Sequence, residues 1–322
     1  MTKMYMVSLL SILPFTAPAC GSAQGGGEAP EAPRVYFVRD ITPENMVRLY
    51  EALERPATGK VAVKLSTGEP GGHNFLKPEL IKDLVQKVGG TIVECNTASG
   101  GGRAHTEAPL KAAADHGFTA IAPVDIMDAE GEVSLPVKGG RHLRENFVGS
   151  HYPAYDFTVV LSHFKGHAMG GFGGAVKNIS IGIASSAGKA WIHSAGKTKN
   201  AAQMWGNLPA QDDFLESMAE AAKSVADHCG EKILYINVMN NLSVDCDCDA
   251  HPEDPKMGDI GILGSTDPVA LDKACVDLVY ASPDPGKVHL IERMESRHGI
   301  HTLEHGEAIG LGSQQYELVE LE

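Results

Sequence analysis

Runs of apolar residues recur along the chain at the length typical of buried β-strands. They are rich in Val and Ile, and few polar residues interrupt them. Continuous apolar runs of this kind are typical of parallel sheets, which are covered on both faces. The predicted strands are VYFVR (35–39), KVAVKL (60–65), TIVEC (91–95), FTVVLS (157–162), ILYINVM (233–239) and DIGILG (259–264).

Segments with helix-start signals alternate with these strands. Thr42 before Pro43 and Asp267 before Pro268 each predict a capped helix. A further helix is predicted to start at Pro78, and others cover about 107–116, 212–228 and 286–298. The alternation predicts an α/β fold with largely parallel sheets and flanking helices.

The pattern breaks at residues 140–156, which suggests a domain boundary. A chain of 322 residues is long enough for about two domains. We therefore expect a first α/β lobe at 35–150 and a second at 151–322, with a site between them. The C-terminal part of the second lobe is free to fold back onto the first.

The first nineteen residues have the layout of an export signal. Lys3 is their only charged side chain, the apolar run VSLLSILPF follows, and small residues precede Cys20. This order is typical of a secretory signal, and Cys20 stands where a bacterial lipoprotein carries its lipid. We expect an exported protein, periplasmic or membrane-anchored, with residues 20–34 as a flexible tether. Secretion without lipid and a cytoplasmic location are the alternatives.

The net charge of −14 argues against general binding to nucleic acid or to anionic membranes. Membrane contact is expected only through an N-terminal lipid anchor. One segment departs from this acidic balance, because no Asp or Glu occurs from Phe157 to Gln211. At the average density of acids, 55 residues would hold roughly seven. The lysines that remain there predict a locally positive site for a small anionic ligand; a solvated lysine face is the alternative.

A glycine-rich stretch, GGFGG, lies inside this acid-free segment and follows the strand FTVVLS. Glycines such as Gly173 and Gly174 let the backbone approach a bound group and offer N–H donors to an anion. Ligands of open α/β sheets bind beyond the carboxyl ends of the strands. His163, His167 and His193 lie in the same segment, which favours a functional site over isolated structural histidines.

A second candidate site is the stretch DCDCDAHPEDP, residues 245–255. Cys246, Cys248 and His251 offer thiolate and imidazole ligands that suit zinc, iron or nickel. A Cys-x-Cys pair also forms redox-active disulfides in oxidising compartments. Metal ligation, a disulfide and free thiols stay open at this point.

The stretch SHFKGHAMGGFGGAVKNISIG resembles the family called domain of unknown function 362, as do SSAGKAWIH and NNLSVDCDCDAHPEDPKMGDIGILGSTDPVALDKACVDLV. The resemblance covers most of residues 60–312, and the function of that family is not established. Many relatives carry ferredoxin-like Cys-x-x-Cys runs before the CDC motif. Residues 194–232 hold only Cys229, so we do not expect a ferredoxin-type iron–sulfur cluster.

GFGGAVKNISIGIA is also similar to a stretch of the nickel-dependent lactate racemase family. In that family a histidine ten residues before a lysine acts as acid/base, and a histidine sixteen residues after it binds nickel. The lysine anchors a nickel-pincer nucleotide. His167 and His193 stand at these distances from Lys177. The resemblance therefore implies an acid/base role for His167, a cofactor or anion at Lys177, and a metal at His193.

The same resemblance suggests further ligand contacts. NTASGGGR (96–103) stands where that family carries its cofactor signature, but with different residues. The candidate catalytic residues are thus His167, Lys177 and His163, and the candidate cofactor or anion contacts are Lys165, Lys177, Lys189, Asn178, Gly173, Gly174, Asn96, Thr97 and Arg103.

These patterns lead to two functional hypotheses of different classes. The first is a metal-dependent enzyme, with Ni, Zn or Fe, that isomerises or racemises a small hydroxy acid or sugar acid. The second is a non-catalytic or redox metal-binding protein centred on Cys246 and Cys248. A ligand-binding lipoprotein without chemistry is a third, simpler possibility.

Overall fold

The computed structural model describes residues 31–98 and 106–322. Eight strands of this part of the chain form one central sheet, in the order β12–β1–β11–β10–β7–β2–β3–β4, and two hairpins, β5–β6 and β8–β9, lie beside it. The strands are β1 (Arg34–Val38), β2 (Val61–Lys64), β3 (Thr91–Glu94), β4 (Val124–Ile126), β5 (Glu132–Pro136), β6 (Glu145–Gly149), β7 (Phe157–His163), β8 (Lys165–His167), β9 (Gly171–Gly173), β10 (Ile233–Met239), β11 (Gly261–Ser265) and β12 (Glu317–Glu320).

The prediction of a largely parallel sheet is confirmed. β10, β7, β2, β3 and β4 pair in parallel, and β12 is parallel to β1. Only β11 among the strands of this sheet runs the other way, antiparallel to both β10 and β1. Hydrophobic patterning predicted the β11 segment as a strand but carries no information about its direction.

Both faces of the central sheet are buried. All residues of β7 and β10 are buried. Along β7, Val160 packs into one apolar core while Val159 and Leu161 pack into another, because successive side chains leave a strand on opposite faces. This arrangement explains why these strands read as continuous apolar runs.

Helices flank the sheet, and their starts follow the predicted capping signals. Thr42 Oγ1 accepts the Asn45 N–H, and Asp267 Oδ1 accepts the Val269 and Ala270 N–H groups. The helices are α1 (Pro43–Ala52), α2 (Pro78–Lys87), α3 (Glu107–Asp115), α4 (Ala175–Ser180), α5 (Ser186–His193), α6 (Gln211–Cys229), α7 (Pro268–Ala281), α8 (Lys287–Ser296) and α9 (His301–Ala308).

The structure joins in one sheet the two segments that we expected as separate lobes. β2, which precedes residue 150, pairs with β7, which follows it. Residues Ala32–Glu322 form one compact unit. The break in the pattern at 140–156 corresponds to β6 and the short turn that leads into β7, because a local irregularity does not reveal which strands pair across it.

The predicted export signal and most of the predicted tether lie outside the described residues. Within residues 31–98 and 106–322, no helix combines the length and the apolar character needed to cross a membrane.

The carboxyl ends of three parallel strands lie side by side in the order β7–β2–β3. His163 ends β7, Lys64 ends β2 and Glu94 ends β3. This edge of the sheet is where ligands of open α/β folds bind.

Candidate functional site

A cavity of about 330 Å³ opens at this edge of the sheet. Its size is that of a small-molecule pocket. Most of the site residues predicted from the sequence line it: Thr97, His163, Lys165, His167, Gly173, Gly174, Lys177, Asn178, Lys189, His193, Cys246 and Cys248. Two segments that are distant in sequence therefore share one site: the acid-free segment (157–211) and the stretch 245–255, here called the CDC loop.

Two of the predicted residues that the structure describes, Asn96 and His251, are not part of this wall. Asn96 lies next to it, and its backbone N–H and side-chain amide both donate to Asp128 Oδ1 at 2.8 and 3.0 Å. His251 is exposed, and its backbone N–H donates to Asp249 within the loop. The expected ligand set of His251 with the two cysteines is therefore not found. Arg103 lies outside the described residues.

Helix α4 carries Lys177 into the cavity, and a buried carboxylate holds the start of this helix. Asp272 accepts hydrogen bonds from the Ala175 N–H at 2.7 Å, the Val176 N–H at 3.0 Å and the Asn237 amide at 2.7 Å. A Cβ at Gly174 would collide with this carboxylate, so the glycine is required by close packing. Burial raises the pKa of Asp272 to about 6, although these three donors oppose the shift.

We expect Asp272→Ala to lower the free energy of unfolding by about 2 kcal/mol, because three buried donors lose their acceptor. Urea denaturation at neutral pH measures the change. Asp115→Ala is the control, because this exposed carboxylate on another helix pairs with Lys111. It should cost under about 1 kcal/mol. Equal losses in the two variants would contradict the assigned role of Asp272.

The Lys177 amine has no hydrogen-bond or ion-pair partner among the residues that the structure describes. Burial, followed by the charge of the nearby Lys165, lowers the pKa of this amine to about 7, while Asp247 opposes the shift. An amine that titrates near neutral pH is suited to bind an anion or to react as a nucleophile.

His167 keeps its proton on Nε2 when the ring is neutral. Its Nδ1 accepts the backbone N–H groups of Gly170 at 2.8 Å and Met169 at 3.3 Å. A nitrogen that accepts these bonds carries no proton, so the proton lies on Nε2. Burial, followed by the charge of Lys177, holds the pKa of His167 well below its usual value. At neutral pH this ring is a hydrogen-bond donor, whereas the base expected from the sequence needs a lone pair on Nε2.

His193 has the opposite tautomer. Its Nδ1 donates to the backbone carbonyl of Lys189 at 2.7 Å, which leaves the lone pair on Nε2. Burial lowers the pKa of His193 to about 4, although the bond to the carbonyl opposes the shift. The ring stacks on Phe214 with centroids 5.1 Å apart, which fixes its orientation. Nε2 is thus available to bind a proton or a metal ion.

His163 belongs to a buried ion-pair network that sequence reasoning did not predict. Its Nδ1 donates to Asp247 Oδ1 at 2.8 Å and its Nε2 to the Asn240 carbonyl at 2.6 Å. Lys165 Nζ donates to the other Asp247 oxygen at 2.6 Å. Because both ring nitrogens of His163 are engaged, the expected catalytic role does not match this geometry. His163 instead positions Asp247.

Asp247 itself is almost completely buried. Burial alone would raise the pKa of its carboxyl, but the charges of His163 and Lys165 hold the pKa well below its usual range. The only signal for this partner in the sequence was indirect, since the acid-free segment needs carboxylates from elsewhere to balance its buried cations.

Other lysines and amides hold the cavity wall in shape. Lys64 Nζ lies 3.5 Å from Glu94 Oε2. Lys189 Nζ donates to the Ala184 carbonyl at 2.6 Å. The Asn178 amide donates to the Lys64 carbonyl and to Ser162 Oγ, so it ties the ends of β2 and β7 together. Asn178 therefore has a structural role in addition to any contact with a ligand.

The Sγ atoms of Cys246 and Cys248 are paired as a disulfide. Cys246 is 9% exposed, whereas Cys248 is exposed. Both sulfurs and one ring nitrogen of His167 lie within 4.8 Å of one another, so this group is also a candidate metal ligand set. The histidine in this group is His167, which lies far from the two cysteines in the sequence.

Two more groups of candidate ligands lie away from the cavity: Asp212, His298 and His301, and His142, Asp213 and Glu216. Their members pair with one another. Glu216 accepts from His142 at 2.6 Å and from His301 at 3.1 Å. Burial alone would raise the pKa of Glu216, but these two bonds lower it. Hydrogen bonds between the side chains account for these groups.

A family model described as "Domain of unknown function (DUF362)" matches residues 61–277. A search of curated proteins finds no significant match. Similar solved structures include the lactate racemase apoprotein from Thermoanaerobacterium thermosaccharolyticum, with a TM-score of 0.44 and 16% identity over 76% of this chain and 57% of that chain.

A protein from Thermotoga maritima is also similar, with a TM-score of 0.39 and 14% identity over 74% of this chain and 59% of that chain. The present chain thus spans less than two thirds of either protein. At these scores neither similarity assigns an activity to this chain.

Proposed function

The chain belongs to the family described as domain of unknown function DUF362, and because that description assigns no activity, we propose a function from the residues of the site. We propose that the protein is an enzyme that isomerises or racemises a small anionic hydroxy acid or sugar acid with the help of a divalent metal ion.

The observation that carries this proposal is the arrangement of three groups in one cavity. Lys177 offers an amine with no partner among the described residues, His167 offers an N–H donor, and His193 offers a lone pair. A cation that binds an anion, beside a hydrogen-bond donor and a nitrogen that can bind a metal ion, can hold and polarise a hydroxy acid.

Each residue has a separate task in this proposal. Lys177 binds the carboxylate of the substrate, with Lys165 and Lys189 adding positive charge from the wall. His167 donates its Nε2 proton as a hydrogen bond to the substrate oxygen that gains charge. His193 Nε2 would hold the metal ion, which would act as a Lewis acid on the substrate.

The residues present also fit a nickel-pincer nucleotide of the kind that the sequence resemblance implies. The amine of Lys177 could hold its reactive group, and the lone pair on His193 Nε2 could bind its metal. When bound, such a group supplies a hydride acceptor. The positive wall would then contact its phosphate and the substrate together.

The direct test uses protein purified from the organism that makes it, since a foreign host can lack a maturation system. Single enantiomers of short 2-hydroxy acids are incubated with it, and chiral chromatography follows the opposite enantiomer or an isomer. Metal analysis and intact mass on the same sample distinguish a bound ion from an adduct on Lys177. Lack of turnover across the panel with metal-loaded protein would refute the proposal.

Lys177→Met should weaken binding of lactate or inorganic phosphate by about 10- to 100-fold, because a charge-assisted hydrogen bond is lost. In the native protein, affinity should fall as the pH rises through about 7, where the free amine loses its charge. Calorimetric titration between pH 6 and 8.5 measures both effects. Lys111→Met, at an exposed ion pair with Asp115, is the control and should bind like the native protein.

A further inference from the structure

The CDC loop has a rigid centre between its two cysteines. The Asp247 carboxylate accepts hydrogen bonds from His163 and Lys165. The backbone carbonyl of Asp247 accepts the Glu69 N–H at 3.0 Å. The central residue is thus anchored on both its side chain and its backbone. The two cysteines on either side of it stay next to each other and line the cavity.

The two sulfurs differ in their surroundings. Cys248 is an exposed residue, which favours attack on its sulfur by a thiol from solution. Cys246 is buried, and its sulfur accepts the Cys248 N–H at 3.2 Å. His167, which carries its proton on Nε2, has a ring nitrogen within 4.8 Å of both sulfurs. Hydrogen-bond donors and the lysines of the wall would favour a negative charge on Cys246.

We propose that Cys246 and Cys248 form a redox-active pair that exchanges with external thiols, with Cys248 as the sulfur that is attacked and Cys246 as the leaving group. This inference goes beyond the proposed isomerase and does not depend on it, because its chemistry is confined to the sulfurs.

A dithiol can serve as the reductant in this exchange. A thiolate of the dithiol forms a bond to Cys248 Sγ while the bond between the two cysteines breaks, and the electron pair leaves with Cys246 Sγ. The second thiol of the reductant, as a thiolate, then attacks the sulfur bonded to Cys248 and releases it. The dithiol loses two electrons and two protons and becomes a disulfide, and the protein ends with two thiols. Oxidation reverses these steps.

Trapping with oxidised glutathione tests the proposal. In reduced Cys246→Ser the exposed Cys248 should accumulate one glutathionyl group, and in reduced Cys248→Ser the buried Cys246 should do so roughly 10-fold more slowly. The native protein should form its internal disulfide and retain no glutathione on this pair. Peptide mapping separates these adducts from those on other cysteines, and the Cys229→Ser control should behave like the native protein.

Equal rates of adduct formation in the two variants would overturn the assignment of attacked and leaving sulfurs. A native protein that keeps glutathione on Cys248, or leaves both thiols reduced, would overturn the redox pair itself. Protection of both thiols by one equivalent of Zn²⁺ throughout the oxidation would also do so, because the sulfurs would then serve as metal ligands. Urea unfolding of each variant establishes that the fold is intact, and none of these readouts requires isomerase activity.

Discussion

Asp247→Asn should reduce the free energy of unfolding by about 3–5 kcal/mol, the largest loss of stability that we expect from a single substitution at the site. The asparagine has nearly the same volume but no charge. His163 and Lys165 would then remain buried without the carboxylate that compensates them. Urea denaturation at pH 7 and low ionic strength measures the difference.

Asp115→Asn is the control for this prediction, because Asp115 forms an exposed ion pair with Lys111 on a helix. It should change stability by less than about 1 kcal/mol. A similarly small change in Asp247→Asn would show that the network contributes little. The pH dependence adds a second readout. Because folding lowers the pKa of Asp247, its stabilisation is present above the unfolded pKa of about 4 and is lost as the pH falls towards the folded value.

The acid limb of the stability curve should therefore be steeper in the native protein than in Asp247→Asn. The variant lacks the carboxyl that must be protonated, so its stability should change less between about pH 5 and pH 2. Thermal or urea unfolding over this range measures both slopes. Identical slopes would assign the acid sensitivity to other carboxyl groups.

The parts of the site that the sequence predicted come from short-range order. The strand FTVVLS, the glycines and Lys177 follow one another closely, and the chain cannot leave the end of β7 without placing them near the sheet edge. His193 ends α5, only one helix further along. Local patterns were therefore sufficient to predict that His167, Lys177 and His193 share a cavity.

The parts that the sequence did not reveal depend on long-range pairing. Asp247 lies 82 residues from Lys165, whose amine it binds. Asp272 lies 97 residues from Ala175, whose backbone N–H it accepts. No periodicity links such positions, because the fold alone decides which distant segments meet. For the same reason the sequence predicted His251, three residues after Cys248, as the partner of the cysteines, whereas His167 is the histidine with a ring nitrogen within 4.8 Å of both sulfurs.

The roles of His167 and His193 also could not be predicted from their spacing. Spacing places an imidazole in a pocket, but the hydrogen bond on the far nitrogen decides which nitrogen keeps the proton. The backbone N–H groups of Met169 and Gly170 make His167 a donor, and the carbonyl of Lys189 makes His193 an acceptor. A donor and a base respond differently to substitution, and this difference can be measured.

His167→Ala should lower the turnover of the proposed isomerase by about 10²- to 10³-fold with a smaller effect on KM, because a donor to the developing charge is removed. His167→Gln should recover at least about tenfold of this loss, since its amide can also donate a hydrogen bond. A base would behave otherwise, because glutamine cannot accept a proton. Steady-state kinetics of both variants, with the exposed His289→Ala as the control, separate the two roles. Equal activity of the Ala and Gln variants would show that His167 acts by proton transfer, and the tautomer argument would then be wrong.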